Sequence, residues 1–145
     1  MTSERCVMSD SILVDTSAWI LSFRETGNPK LKEFLKEAIE SDRVATTNFV
    51  ILELLQGCKT TKEYNALKER LDTLPLLELD ESVWSIAYET GFSLRRKGIT
   101  APTVDILICS IAKRNGLAIL HHDEHIRIIS RLLEIQAMDY LKAGA

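Results

Sequence analysis

Long apolar runs are missing from this chain: nowhere among its 145 residues is there anything near the roughly 20 consecutive apolar positions of a membrane-spanning helix. The polar start, Met1 to Ser11, lacks an apolar core behind a basic end, so no signal peptide is expected and the chain reads as soluble and cytoplasmic. Cysteines are few and scattered: Cys6, Cys58 and Cys109 are an odd number without CxxC spacing, which excludes a disulfide framework and a zinc knuckle. Cys58 and Cys109 are expected as small core residues. With three prolines, six glycines, no repeat and no low-complexity tract, there is no internal linker to place. One domain over residues 1–145 follows, with residues 1–10 as a flexible tail, and a chain of this length buries roughly two-thirds of its unfolded surface. Positive charge is also lacking. A formal −3 argues against a nucleic-acid partner, because phosphate binding needs cations.

Acids are present, in unexpected places. From Val44 to Cys58 the chain reads VATTNFVILELLQGC, and Glu53 is the only charged residue, in a segment apolar enough to be buried on most of its circumference. Asp15 ends the run Ile12-Leu13-Val14, Asp105 enters Ile106-Leu107-Ile108-Cys109, and Asp123 follows Leu117-Ala118-Ile119-Leu120. A buried carboxylate without a cation costs several kcal/mol or is forced to neutralise, so four acids placed this way suggest one shared divalent-cation site. Setting them aside turns the formal charge from −3 to +1, which leaves room for a local basic patch.

The rest of the pattern alternates. Short strands are predicted at Ser11 to Val14, Arg43 to Thr46, Leu74 to Leu79, Leu117 to Leu120 and Ile135 to Met138. Helices are predicted after Thr16, over Lys30 to Glu40, around Glu53 with Asn48 or Thr47 as cap and Gly57 as end, from Thr60 or Thr61 to Leu71, over Ser82 to Lys97, through Asp105, and over Glu124 to Leu133. On the Ser82 helix, Val83, Trp84, Ala87, Tyr88, Gly91, Phe92 and Leu94 read as one broad apolar face. Strands alternating with helices define an α/β fold, a three-layer α/β/α sandwich on a mostly parallel sheet of about five short strands. Ligands bind such sheets at the carboxyl ends of the strands, where Asp15 and Asp123 fall.

Singly, Asp15 and Asp123 can be read as helix caps and Asp105 as a partner of a helix dipole. Asp105, however, has Ile108, Cys109 and Ala112 at i+3, i+4 and i+7, which puts it on the inward stripe. Glu53, in mid-helix with no basic residue within a turn, gains little from a dipole. Hard oxygen donors select Mg2+ or Mn2+, and such an ion can activate water and neutralise charge on a phosphate, so the expected substrate is a phosphodiester. His121, His122 and His125 are the only histidines, gathered in His-His-Asp-Glu-His. Three so close cannot all face one site; at least one is expected to be exposed and idle, and histidine ligation ranks below carboxylate ligation. Arg95, Arg96 and Lys97, and Lys113 with Arg114, close two helices. Complementing the C-terminal dipoles explains most of their placement, and they support RNA binding only weakly.

Ile-Leu-Val-Asp15-Thr16-Ser17, Asn48-x4-Glu53-Leu54-x2-Gly57, Asp105-Ile106-x-Ile108-x2-Ile111-Ala112 and Leu120-His121-x-Asp123, in this order from about Ser11 to Met138, resemble the PIN-domain nucleases, and in particular the VapC-type toxins of toxin-antitoxin modules. The resemblance implies a Mg2+- or Mn2+-dependent endoribonuclease acting on tRNA or rRNA, with Asp15, Glu53, Asp105 and Asp123 as its acids. It further implies a hydroxyl near the first acid, Thr16 or Ser17, a polar helper at Asn48, a small antitoxin whose tail enters the site, and a homodimer. The chain departs from many relatives at His121, where they carry Thr, and at His125, where they carry a second acid.

Other classes fit less well. A receiver domain needs an acid pair after the first strand, and a haloacid-dehalogenase-like phosphatase needs Asp-x-Asp where this chain has Asp15-Thr16-Ser17. A non-catalytic PIN-like module for RNA or protein binding is the remaining alternative, and the intact acids argue against it.

Overall fold

The computed structural model describes residues 10–139. Residues 1–9 of the expected tail, Cys6 among them, lie outside the described residues; Asp10 is exposed and pairs with Arg43 at 3.6 Å, and Ser11 is buried. The elements are β1 (Ile12–Val14), α1 (Thr16–Phe23), α2 (Pro29–Glu40), β2 (Val44–Thr47), α3 (Asn48–Gln56), α4 (Thr61–Leu71), β3 (Leu76–Leu77), α5 (Glu81–Arg96), α6 (Thr103–Asn115), β4 (Ala118–His121), α7 (Glu124–Leu133) and β5 (Ala137–Asp139). Five parallel strands in the order β3-β2-β1-β4-β5 form the middle of the expected α/β/α sandwich. No helix among the described residues is long and apolar enough to cross a membrane.

The central strands are the ones the sequence makes apolar without alternation. Ile12, Leu13, Val14, Ile119 and Leu120 are all buried, as strands covered by helices on both faces must be. Side chains then fix where the helices begin: Asn28 caps α2 ahead of Pro29, Thr47 rather than Asn48 caps α3, Thr60 caps α4 and Asp80 caps α5. Gly116, at φ 66°, supplies the left-handed residue that ends α6 and turns the chain into β4.

Three expectations fail for physical reasons. β3 is two residues long, not six: Pro75 has no N–H to give, and only its carbonyl takes part, accepting from Thr46 N–H at 3.0 Å. The broad apolar face of α5 is divided, because the helix buries Val83, Ala87, Thr90 and Leu94 and turns Trp84, Tyr88 and Phe92 outward, the last two at 70% and 64% exposure. α3 is not enclosed either; Val50 and Leu54 are buried, whereas Leu52 is 62% exposed and Glu53 is half-buried.

β1 has β2 on one side and β4 on the other, so the strand order reverses there, the place where such sheets bind ligands beyond the carboxyl ends of their strands. The two ends are held together by Asp15 N–H donating to the Leu120 carbonyl at 2.9 Å.

Candidate metal centre

Asp15 is the residue immediately after β1 and is only 4% exposed. Its Oδ2 accepts from both the backbone N–H of Ser17, at 3.0 Å, and the Ser17 hydroxyl, at 2.5 Å, so it is also the N-cap of α1. The Ser17 oxygen in turn accepts from His122 N–H at 2.9 Å, tying the end of β1 to the end of β4. Thr16 serves a different acid: its hydroxyl donates to Glu53 Oε1 at 2.6 Å across 37 residues of sequence. The two adjacent hydroxyls thus divide their work, Ser17 fixing Asp15 and Thr16 fixing Glu53. This contact, together with incomplete burial, is what makes the mid-helix Glu53 tolerable.

Asp105 is the third residue of α6, and its neighbours Ile108, Cys109 and Ala112 are all fully buried, as the inward stripe requires. Asp123 caps α7 by accepting from Ile126 N–H through Oδ1 at 2.9 Å. Its own N–H donates to His121 Nδ1 at 3.2 Å. Ligating atoms of Asp105, Asp123 and His125 all lie within 4.8 Å of one another.

The acids feel one another. Burial raises the pKa of Asp15, against the two Ser17 hydrogen bonds that lower it, and the charges of Asp123 and Glu53 push it further up. Asp105 is pushed up to about 7, first by desolvation and then by Asp123 and Asp15, with His125 acting in the opposite direction. None of the four acids has an ion pair with a lysine or arginine among the described residues. Carboxylates that repel each other, three of them half-buried and Asp15 buried, with no protein cation beside them, are the donor set that a hard divalent ion fits.

The histidines differ from expectation, since none of the three is exposed. His121 is fully buried and burial lowers its pKa; it supports Asp123 by accepting from its backbone N–H. His125 is the histidine that the fold brings beside two of the acids. Its spacing of two from Asp123 brings both to the first turn of one helix. Asn48 opens α3 exposed, and no side-chain hydrogen bond ties it to the acids among the described residues. The basic groups separate. A short connection joins α5 to α6, so Arg95, Arg96 and Lys97 come to the end of the helix pair that carries Asp105. Lys113 and Arg114 lie about 12 Å or more further along α6, where Arg114 approaches Asp80 at 3.7 Å.

A parallel sheet of this order with acids at its switch point defines a class, and a family model described as PIN domain matches residues 12–132. The chain belongs to the PIN-domain family, and its branch is the VapC type. Ribonuclease VapC11 of Mycobacterium tuberculosis is 31% identical over 134 residues, covering 89% of this chain and 98% of the relative. Ribonuclease VapC18 of the same species is 26% identical, covering 77% and 82%. Among solved structures, DNA-bound VapBC from Salmonella typhimurium has a TM-score of 0.74 at 19% identity over 90% of this chain and 98% of that one. VapBC-1 from nontypeable Haemophilus influenzae has 0.73 at 17% identity, with the same coverage. At those identities the likeness is one of fold.

Proposed function

We propose that the chain is a divalent-metal-dependent endoribonuclease, the toxin of a VapBC-type pair, acting on a structured RNA such as tRNA or rRNA. The observation that carries this reading is that Asp15 and Asp105 each feel the charges of Glu53 and Asp123 at the switch point of the sheet, with no lysine or arginine paired to any of the four among the described residues. When bound, Mg2+ or Mn2+ supplies neutralisation of phosphate charge and a lower proton affinity for the attacking water. Asp105, Asp123 and Asp15 are the residues to hold it. Glu53, oriented through Oε1 by Thr16, keeps Oε2 to accept a proton as water attacks phosphorus and the bond to the leaving ribose oxygen breaks. Ser17 keeps Asp15 in place, and His121 keeps the loop of Asp123 in place.

Purified protein, freed of any copurifying partner, should cut RNA internally in Mg2+ or Mn2+ and stop when EDTA is added. Cleavage that continues at full rate in excess chelator would remove the metal from this reading; metal binding without any cleavage of a broad RNA panel would favour the binding module.

Arg95, Arg96 and Lys97 are the basic residues placed to meet the RNA backbone. Replacing all three with Ala should weaken RNA binding about tenfold or more and flatten its salt dependence, while Lys113→Ala with Arg114→Ala should change little. Equal effects from the two sets in a filter-binding titration would refute this division.

An apolar groove beside Glu53, lined by Ile20, Phe23, Leu54, Ala66 and Leu67, suits an amphipathic segment of a small antitoxin, and the outward stripe of Trp84, Tyr88 and Phe92 suits a second copy of the chain. Phe23→Asp should release the antitoxin and leave the dimer; Tyr88→Glu should do the reverse. Light scattering of the complex checks both, and a dimer unmoved by Tyr88→Glu would place the interface elsewhere.

A further inference from the structure

Among the described residues His125 makes no hydrogen bond and no ion pair, yet a ring nitrogen lies within 4.8 Å of ligating oxygens of both Asp105 and Asp123. It is the second residue of α7, where the helix dipole presents its positive end, so helix stability does not explain a basic side chain there. Nor does packing: the buried residues of α7 are Ile126, Ile129 and Ser130. Asp123 uses Oδ1 on Ile126 N–H, which fixes the carboxylate and leaves Oδ2 on the same helix turn as the imidazole. All three side chains are partly open to solvent, so an ion can reach them.

We propose that His125 is a ligand of the divalent-cation site together with Asp105 and Asp123, and that this nitrogen donor shifts the site's preference from Mg2+ towards Mn2+ and Co2+. The inference rests on the metal-dependent reading above and deepens it. Mg2+ is a hard ion that favours oxygen and parts reluctantly with water, so an imidazole adds little to its binding. Mn2+ and Co2+ accept nitrogen readily and lie above it in affinity for mixed nitrogen and oxygen sites.

The test uses the full chain stripped of metal. Mn2+ and Mg2+ are titrated by calorimetry, and the Mn2+ complex is examined for 14N modulation by pulsed electron paramagnetic resonance, in the unsubstituted protein and in His125→Asp and His125→Ala. The expected result is 14N modulation in the unsubstituted protein, lost in both variants, with a Mn2+ preference of about 100-fold that falls about tenfold in His125→Asp. Modulation absent from the unsubstituted protein, or kept in His125→Asp, overturns the proposal. The unsubstituted spectrum decides even if a variant does not fold. Tight Mn2+ binding through oxygen alone would overturn only the nitrogen ligand and leave the metal-dependent nuclease standing; failure of the unsubstituted protein to bind either ion would overturn both.

Discussion

Asp105→Asn should reduce RNA cleavage by about 1,000-fold or more while leaving the fold intact. Asn has the size of Asp and sits at the third position of α6, ahead of the fully buried Ile108, Cys109 and Ala112, so it disturbs no packing. What it removes is one negative charge at the point where Asp15, Asp123 and Glu53 all act electrostatically. A cation held by the remaining acids would be bound more weakly and placed less well, and both losses fall on the reacting phosphate. Circular dichroism should be unchanged. Cleavage within threefold of the unsubstituted rate would show that Asp105 is outside the machinery.

The second large effect concerns stability without metal. The Asp105 pKa is raised from 3.8 to about 7 in the fold, so the folded state binds a proton more tightly than the unfolded state does. Its contribution to stability is therefore fully present below about pH 3.8 and is lost as pH rises through about 7. With solvent screening of a partly exposed group allowed for, the loss is on the order of 1–2 kcal/mol, a change in Tm of several degrees. In EDTA, Asp105→Asn should accordingly melt above the unsubstituted protein at pH 8, and the gap should close towards pH 5. Added Mn2+ should reverse the order, because only the full acid set gains from the ion. Parallel melting curves across this range would mean that the carboxylate does not carry the strain. The same substitution would thus inactivate the site and stabilise the empty protein, as expected where acids are gathered for function at a cost to the fold.

Much of this was legible in the residues. The helix expected from about Glu124 to Leu133 is there, and β1, Asp15 and α1 follow in the predicted order, because a buried strand, a capping acid and a helix leave distinct local marks. The four acids were legible because each interrupts apolar sequence. The division of Thr16 and Ser17 between two acids was not, since neighbouring side chains on a helix differ only in direction, and what each meets depends on where α3 and β4 come to lie. The outward turn of Trp84, Tyr88 and Phe92 was illegible for a related reason: composition marks a stripe as apolar without saying whether the monomer or a partner covers it. That His125 lies beside Asp105 was illegible too, because the two are twenty residues apart and on different helices.

The bond from His122 N–H to the Ser17 hydroxyl joins residues 105 positions apart, and it stands beside the parallel pairing of β1 with β4. A growing chain that has reached α6 already contains Asp15, Glu53 and Asp105 but has no β4 against which to set them. The last parts of the site, Asp123 and His125, leave the ribosome after nearly the whole sheet has been made. The acids at the switch point of the sheet can therefore meet only after β4 has been made and laid beside β1.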